Sequence, residues 1–401
     1  MLRRFDIVVV GAGHAGVAIV GRLRQAGFAG SLALVGDEAC APYQRPPLTK
    51  GFLGGGMAVK ELALADDLAA VGVEHLAGVR VELIDRDRKQ LRLSDGSAIG
   101  FGKLALATGS RPRRLVVPGA EAAAPFYLTT MDDCLALQAR LPAVAGVTII
   151  GGGFIGLEAA ATLRGLGRSV ALIEMQDRLL ARSASPILSA YLEVLHRREG
   201  VDIRTGTGIE AIGAAGVRCT DGSEVAADAI IVGIGSLPND DLARAAGLRC
   251  DDGIVVDRHG VTSDPDIVAA GDCTRHPNDF APTGTCRLES VQNAVDQAEA
   301  AAATLLGTPT RYRSVPTFWS DQFDARIGIV GIGQGAEELA IRGEIESGSF
   351  SVYAFRDGRL VAVESINRPK DQRLARKIIL SRNITPAQVR DPSIDLAAVP
   401  A

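Results

Sequence analysis

Close cysteine pairs are missing from this chain of 401 residues: its six cysteines, at positions 40, 134, 219, 250, 273 and 286, stand far apart, with no CxxC among them. That scatter excludes a disulfide scaffold, a cysteine zinc site and a vicinal dithiol centre, and leaves most of the cysteines as small buried residues. The five histidines show no HxxxH or HxH spacing, which argues against a metal centre. No apolar run approaches the ~20 residues that a membrane span requires. Met1-Leu-Arg-Arg-Phe-Asp leads straight into a strand-like run, so the sequence predicts a cytoplasmic protein, neither exported nor inserted. A net charge of −4 offers no general attraction to nucleic acid, so an electrostatic partner has to be met by a local patch. Low-complexity segments are absent as well. What remains is a globular composition, 47% hydrophobic and 22% charged, in a chain long enough for two or three domains.

Glycine carries the main signal. Gly11-Ala-Gly13-His14-Ala15-Gly16 and Gly151-Gly-Gly153-Phe-Ile155-Gly156 repeat one GxGxxG pattern 140 residues apart. Each follows a strand-like run, Phe5 to Val10 or Val147 to Ile150, and opens a small-residue helix, the context in which this motif binds a dinucleotide. The first glycine permits the tight turn, the second lets a pyrophosphate approach the main chain, and the third allows the helix to pack closely on the strand. The helix N-terminus then presents unpaired N–H groups to the phosphates. Two such motifs imply two nucleotides in one chain.

The periodicity predicts strands at 5–10, 31–35, 79–84, 90–93 and 103–107, with a helix from about 14 to 26, and a proline-bearing linker from Arg111 to Gly119. The second nucleotide unit follows, with strands 147–150 and 169–173, a helix over 155–165, and a closing strand from Ala229 that turns at Gly235 and Pro238. An acidic turn at Ala270-Gly271-Asp272 and an alanine-rich helix over 288–305 come next. The tail alternates strands at 327–330, 338–342, 350–356 and 359–366 and ends in a helix over about 370–381. The two nucleotide units read as a distant internal duplication.

A carboxylate is expected about 20 residues beyond each motif, where it accepts from ribose hydroxyls. Asp37 lies 21 residues past Gly16, and Glu174 lies 18 past Gly156. The charge of Glu174 would repel a 2′-phosphate, so the second site should take NAD(H) in preference to NADP(H). A turn or cap role competes at both acids. The run Ala41-Pro-Tyr-Gln-Arg45-Pro-Pro-Leu-Thr-Lys50 is a proline-stiffened loop ending in a lysine, whose ammonium would suit a flavin edge that becomes negative on reduction. Glu158, inside the apolar start of the second helix, is its natural counter-ion; a solvated surface lysine is the alternative.

Together the runs 42–50, Gly151 to Glu158, Ala270 to Asp272 and Val315-Pro-Thr-Phe-Trp319-Ser-Asp-Gln322 resemble the FAD-dependent NADH:ferredoxin reductases that serve Rieske oxygenases and bacterial cytochromes P450. The likeness spans nearly the whole chain. It implies an α/β architecture of the glutathione-reductase type: two Rossmann-like dinucleotide-binding domains, for FAD (1–110 and 238–311) and NAD (111–237), plus a C-terminal α+β interface domain (312–401). It also implies FAD contacts at Gly11, Gly13, His14, Ala15, Gly16, Asp37, Arg45, Lys50, Val81, Gly109, Asp272, Val291 and Trp319. Of these, Asp272 would accept from ribitol hydroxyls, and Lys50 would pair with Glu158 beside the reacting rings. A buried aromatic anchor is the other reading of Trp319. Gly151, Gly153, Ile155, Gly156, Glu174, Arg182 and Gly235 would hold NADH. Such reductases often carry arginine in a Tyr-Leu-Arg-Thr run where this chain has Tyr127-Leu-Thr129-Thr130, which predicts weaker retention of FAD.

The activity implied is transfer of electrons from NADH through FAD to a [2Fe-2S] ferredoxin. Its acidic surface would need a basic patch, and 364–382 offers one: Arg368, Lys370, Arg373, Arg376, Lys377 and Arg382 against Glu364 and Asp371. A solvated face is the alternative there. Two other functions fit the same fold: an NADH oxidase or peroxidase working through Cys40, and a redox-signalling flavoprotein resembling apoptosis-inducing factor.

Overall fold

The computed structural model describes residues 2–65, 67–381 and 383–399. It divides into two compact units, one of Met1–Gln44, Lys60–Arg111 and Leu237–Pro316, the other of Arg45–Val59, Pro112–Ser236 and Thr317–Ala401.

In the first unit, β-branched residues build the strand Arg3–Val10, whose last four residues are all buried, as a strand covered on both faces requires. Leu32–Val35 and Ala98–Leu106 pair with it in parallel on either side. Val73–Leu76 extends the parallel sheet beyond Leu32–Val35, Ile267–Ala269 pairs with Ala98–Leu106, and Gln90–Leu93 and Val81–Asp85 complete it antiparallel. The helices His14–Gln25 and Val291–Leu305 pack on each other, and alanines at 294, 298, 301 and 302 let the second lie close. Ile7 and Val9 face that helical layer, while Val8 and Val10 face a second core with Leu91, Phe101 and Leu248.

The second unit repeats the plan with a parallel sheet in the order Val201–Arg204, Ser169–Ile173, Gly146–Ile150, Ala229–Val232, and the helix Phe154–Gly165 follows its central strand. A small antiparallel sheet of Ile209–Gly213, Gly216–Cys219 and Glu224–Ala226 is attached. The tail forms a five-stranded antiparallel sheet: Thr317–Gln322, Ala325–Gly331, Arg359–Ile366, Ser349–Arg356, Glu338–Glu344. Tyr353, Phe350 and Phe355 fill its interior, and the helix Pro369–Ser381 lies on it.

The tail strands and last long helix fall where alternation predicts them. Four differences stand out. The predicted linker begins with a strand, Ser110–Pro112. Thr317–Gln322 is a strand, although its buried residues, Thr317, Ser320 and Gln322, are all polar. The helices Met131–Arg140 and Pro186–Arg198 start at Thr130 and Ser185, whose side chains accept from backbone N–H groups three residues on, a cap signal rather than a hydrophobic one. The short helix Pro386–Arg390 is likewise opened by a capping box, at Thr385.

Candidate functional site

At the first glycine motif, Gly11 turns at φ +109°, and a Cβ there would strike the Ala107 carbonyl; a Cβ on Gly16 would strike the Gly11 carbonyl. Gly13 caps the helix with extended backbone and no capping side chain, and the space where its Cβ would stand is open. That is the shape a pyrophosphate needs. Gly271 lies against the same helix, 3.1 Å from Ala15 at its would-be Cβ, and so brings Asp272 to the motif. Asp272 is half-buried, with Ser110 Oγ donating to it over 3.3 Å. Burial, with Glu289 adding its negative charge, pushes this carboxyl up to about 7. A half-buried carboxyl with so long a hydrogen bond suits hydroxyl donors such as those of a ribitol chain, so these residues fit FAD.

The other residues predicted for this cofactor spread through both units. Asp37 is exposed, one residue beyond Gly36, which ends the second strand. Gly109 has φ +66° and open space at its Cβ, and its carbonyl accepts from Asn239 N. Val81 buries its side chain in the core and pairs with Leu93 in the sheet. Val291 is the first residue of its helix, capped by Ser290. In the second unit, Arg45 donates to the Thr129 carbonyl (2.7 Å), and Trp319 is 39% exposed.

The second motif repeats the first. Gly151 turns at φ +111° against Gly233, Gly156 packs on Gly151, and Gly153 caps its helix without a side chain. Glu174 is the first residue past the second strand of this fold; Oε2 accepts from Gly152 N (2.6 Å) and Oε1 from Gln176 N (2.8 Å). The carboxylate is thereby fixed beside the motif, as a ribose site requires. Arg182 reaches Gly235, 3.7 Å from the place of its Cβ, so these two candidates are neighbours. Ile155 is exposed at the helix start. The residues of this motif fit a second dinucleotide.

Within the same unit, the turn Pro46–Thr49 ends at Lys50, whose Nζ meets Glu158 Oε2 at 2.5 Å. Glu158 is 6% exposed and also accepts from Thr49 Oγ1 (2.6 Å, Oε2) and Ser320 Oγ (2.6 Å, Oε1). A buried carboxylate with an ammonium and two hydroxyls is fully partnered, which is what keeps such a charge tolerable. Thr49 and Ser320 escaped the sequence reading although both lie inside runs it singled out. Gln297, which accepts from Gly271 N and Thr274 Oγ1 and so holds the Asp272 turn, gave no signal beyond a polar residue in an alanine-rich helix.

Two family descriptions match the chain: pyridine nucleotide-disulphide oxidoreductase over residues 5–298 and reductase C-terminal over 317–399. The chain belongs to the pyridine nucleotide-disulphide oxidoreductases. Rhodocoxin reductase of Rhodococcus erythropolis is 43% identical, over 98% of this chain and 93% of that protein. The ferredoxin reductase of the CYP199A2 system from Rhodopseudomonas palustris superposes with a TM-score of 0.94 at 40% identity, covering 98% of both chains. The reductase of a covalent putidaredoxin reductase–putidaredoxin complex gives 0.92 at 39% identity, over 98% of this chain and 97% of that one.

Proposed function

We propose that this oxidoreductase passes electrons from NADH through FAD to a [2Fe-2S] ferredoxin, which supplies a cytochrome P450 or a Rieske-type oxygenase. The observation that carries the reading is the doubled fold: two strand–glycine–helix sites in one chain, each ending in a helix N-terminus that no side chain caps. Bound FAD supplies the conversion between a two-electron donor and a one-electron acceptor.

The chain's own residues bind and orient. The helix starts at Gly13 and Gly153 hold pyrophosphates; Asp37 and Glu174 accept from riboses, and Asp272 from ribitol hydroxyls. Lys50 supplies positive charge where reduction creates negative charge, and Glu158 keeps that ammonium in place. Further cofactor contacts are assigned to His14, Ala15, Gly16, Arg45, Val81, Gly109, Val291 and Trp319 for FAD, and to Ile155, Arg182 and Gly235 for NADH. These assignments go with an FAD domain of 1–110 and 238–311, an NAD domain of 111–237 and an interface domain of 312–401.

The ferredoxin would dock on the helix Pro369–Ser381, which buries Ala375, Ile378 and Ile379 and exposes Lys370, Arg373, Arg376 and Lys377. Arg368 is paired with Asp371 (2.6 Å), and Glu364 is buried against Ser185, so neither Arg368 nor the two acids count at the surface; Arg382 lies outside the described residues. No described helix is long and apolar enough to cross a membrane, and we place the protein in the cytoplasm, where NADH is supplied.

The test is direct. The purified chain should bind FAD, lose the oxidised flavin absorbance on adding NADH, and reduce cytochrome c rapidly only when a [2Fe-2S] ferredoxin is present. A protein still colourless after incubation with excess FAD would refute the reading.

A further inference from the structure

The partners of Glu158 do not end at Ser320. Gln322 Nε2 lies 3.0 Å from Ser320 Oγ, and His196 Nε2 lies 2.9 Å from Gln322 Oε1. Ser320, Gln322 and His196 are each 0% exposed. The row therefore joins the helices Phe154–Gly165 and Pro186–Arg198 through the strand Thr317–Gln322, all within one unit.

Its polarity follows outward from the carboxylate. Glu158 faces an ammonium and can only accept, so Ser320 spends its hydroxyl proton on Oε1 and must itself accept from Gln322. The amide nitrogen of Gln322 is thus turned to Ser320 and its oxygen to His196, which must carry its proton on Nε2. Burial pushes the His196 imidazole below its usual value and keeps it neutral, with one N–H to give; Nδ1 is buried without a partner. Phe323 meets the ring edge-on at 4.9 Å and fixes its plane. Every donor points toward Glu158, and the amide in the middle does not relay protons. The row is a brace rather than a wire. Lys50 and Thr49 hold one carboxylate oxygen, and the brace holds the other, which sets the plane of the group.

We propose that Ser320, Gln322 and His196 are positioning residues that fix the Glu158 carboxylate, and through it the Lys50 ammonium, for reduction of the flavin by NADH. The proposal rests on reading Lys50 and Glu158 as the pair that serves this step. Small displacements of such groups cost rate rather than binding.

The test uses FAD-loaded protein and follows the loss of flavin absorbance after rapid mixing with NADH. Ser320→Ala should lower the limiting rate about tenfold, equivalent to about 1.4 kcal/mol of barrier, while the NADH dissociation constant moves less than about twofold. Gln322→Met, of similar length, should act in the same direction and guards against a folding defect in the first variant. In a Glu158→Gln background Ser320→Ala should add nothing, because the brace acts through that carboxylate. In FAD-free protein labelled with 15N-lysine, the Lys50 Nζ resonance, assigned by its loss in Lys50→Arg, should broaden in Ser320→Ala. A wild-type rate in Ser320→Ala and Gln322→Met while Glu158→Gln is slow overturns the brace alone, as does an additive loss in the double variant. Wild-type rates in both Glu158→Gln and Lys50→Met overturn the reading of the pair, and the brace with it.

Discussion

Gly36 and Glu174 occupy matching places in the two nucleotide folds, each directly after the second strand and each donating its N–H to the neighbouring strand, at Leu76 O and Arg204 O. A Cβ on Gly36 would come within 2.8 Å of Ala12 Cβ inside the glycine motif, so a side chain is shut out there and the acid moves one place on, to exposed Asp37. Gly36→Ala should displace the motif, cost about 1–3 kcal/mol in urea unfolding and weaken FAD retention; unchanged unfolding and retention would show that the loop can yield. Thr129 carries the second prediction at this scale. Arg45 already reaches its carbonyl, and a Thr129→Arg variant adds a cation beside it, so the variant should keep FAD through a dilution and gel-filtration step that strips the natural chain. Equal loss from both proteins would reject a role for this position. The glycines, Lys50 and Glu158 were legible in the sequence because local geometry or an odd charge marks them. Ser320, Gln322 and His196 were not, since the partner that gives them meaning is up to 162 residues away.

Among the elements, the helix Pro369–Ser381 shows how pattern and pairing share the work. Its buried residues at 375, 378 and 379 made it visible in the sequence, and its basic residues were visible too; which charges are spent internally was not. With Arg368 held by Asp371, the exposed set is Lys370, Arg373, Arg376 and Lys377. Reversing Arg373 and Arg376 to glutamate should slow ferredoxin reduction about tenfold or more at low salt and flatten its salt dependence, while NADH-driven reduction of a small dye stays unchanged. Equal slowing of both reactions would move the docking surface elsewhere. The helices at 131–140 and 186–198 stayed hidden for a different reason: their starts are fixed by single capping hydroxyls, and Ser185 additionally gives its N–H and hydroxyl to Glu364, from the far end of the sequence.

For the molecule as a whole, a buried imidazole and a half-buried carboxyl set opposite pH dependences. Burial depresses His276 to about 4, so the unfolded chain takes up that proton first; the stability it contributes is complete above about 6.5 and lost as pH falls toward 4, on the order of 3 kcal/mol. Asp272, raised to about 7 in the absence of cofactor, works the other way: the folded chain keeps its proton where the unfolded chain has released it, so stability falls as pH rises through 7. Hydroxyls donating to Asp272 favour its charged form and remove that counterweight. Between pH 7 and pH 4 the FAD-loaded protein should therefore lose more thermal stability than the FAD-free protein, as calorimetry at matched ionic strength would read; a steeper fall in the FAD-free protein would contradict the role given to Asp272.

The chain has a single tryptophan, Trp319, partly exposed and adjacent in sequence to Ser320. Indole fluorescence from this protein thus has one origin, at the neighbour of the Glu158 brace. Its emission offers a label-free optical gauge of what happens at that spot, from nucleotide arrival to the slackening of a single hydroxyl contact, with no background from any other indole to subtract.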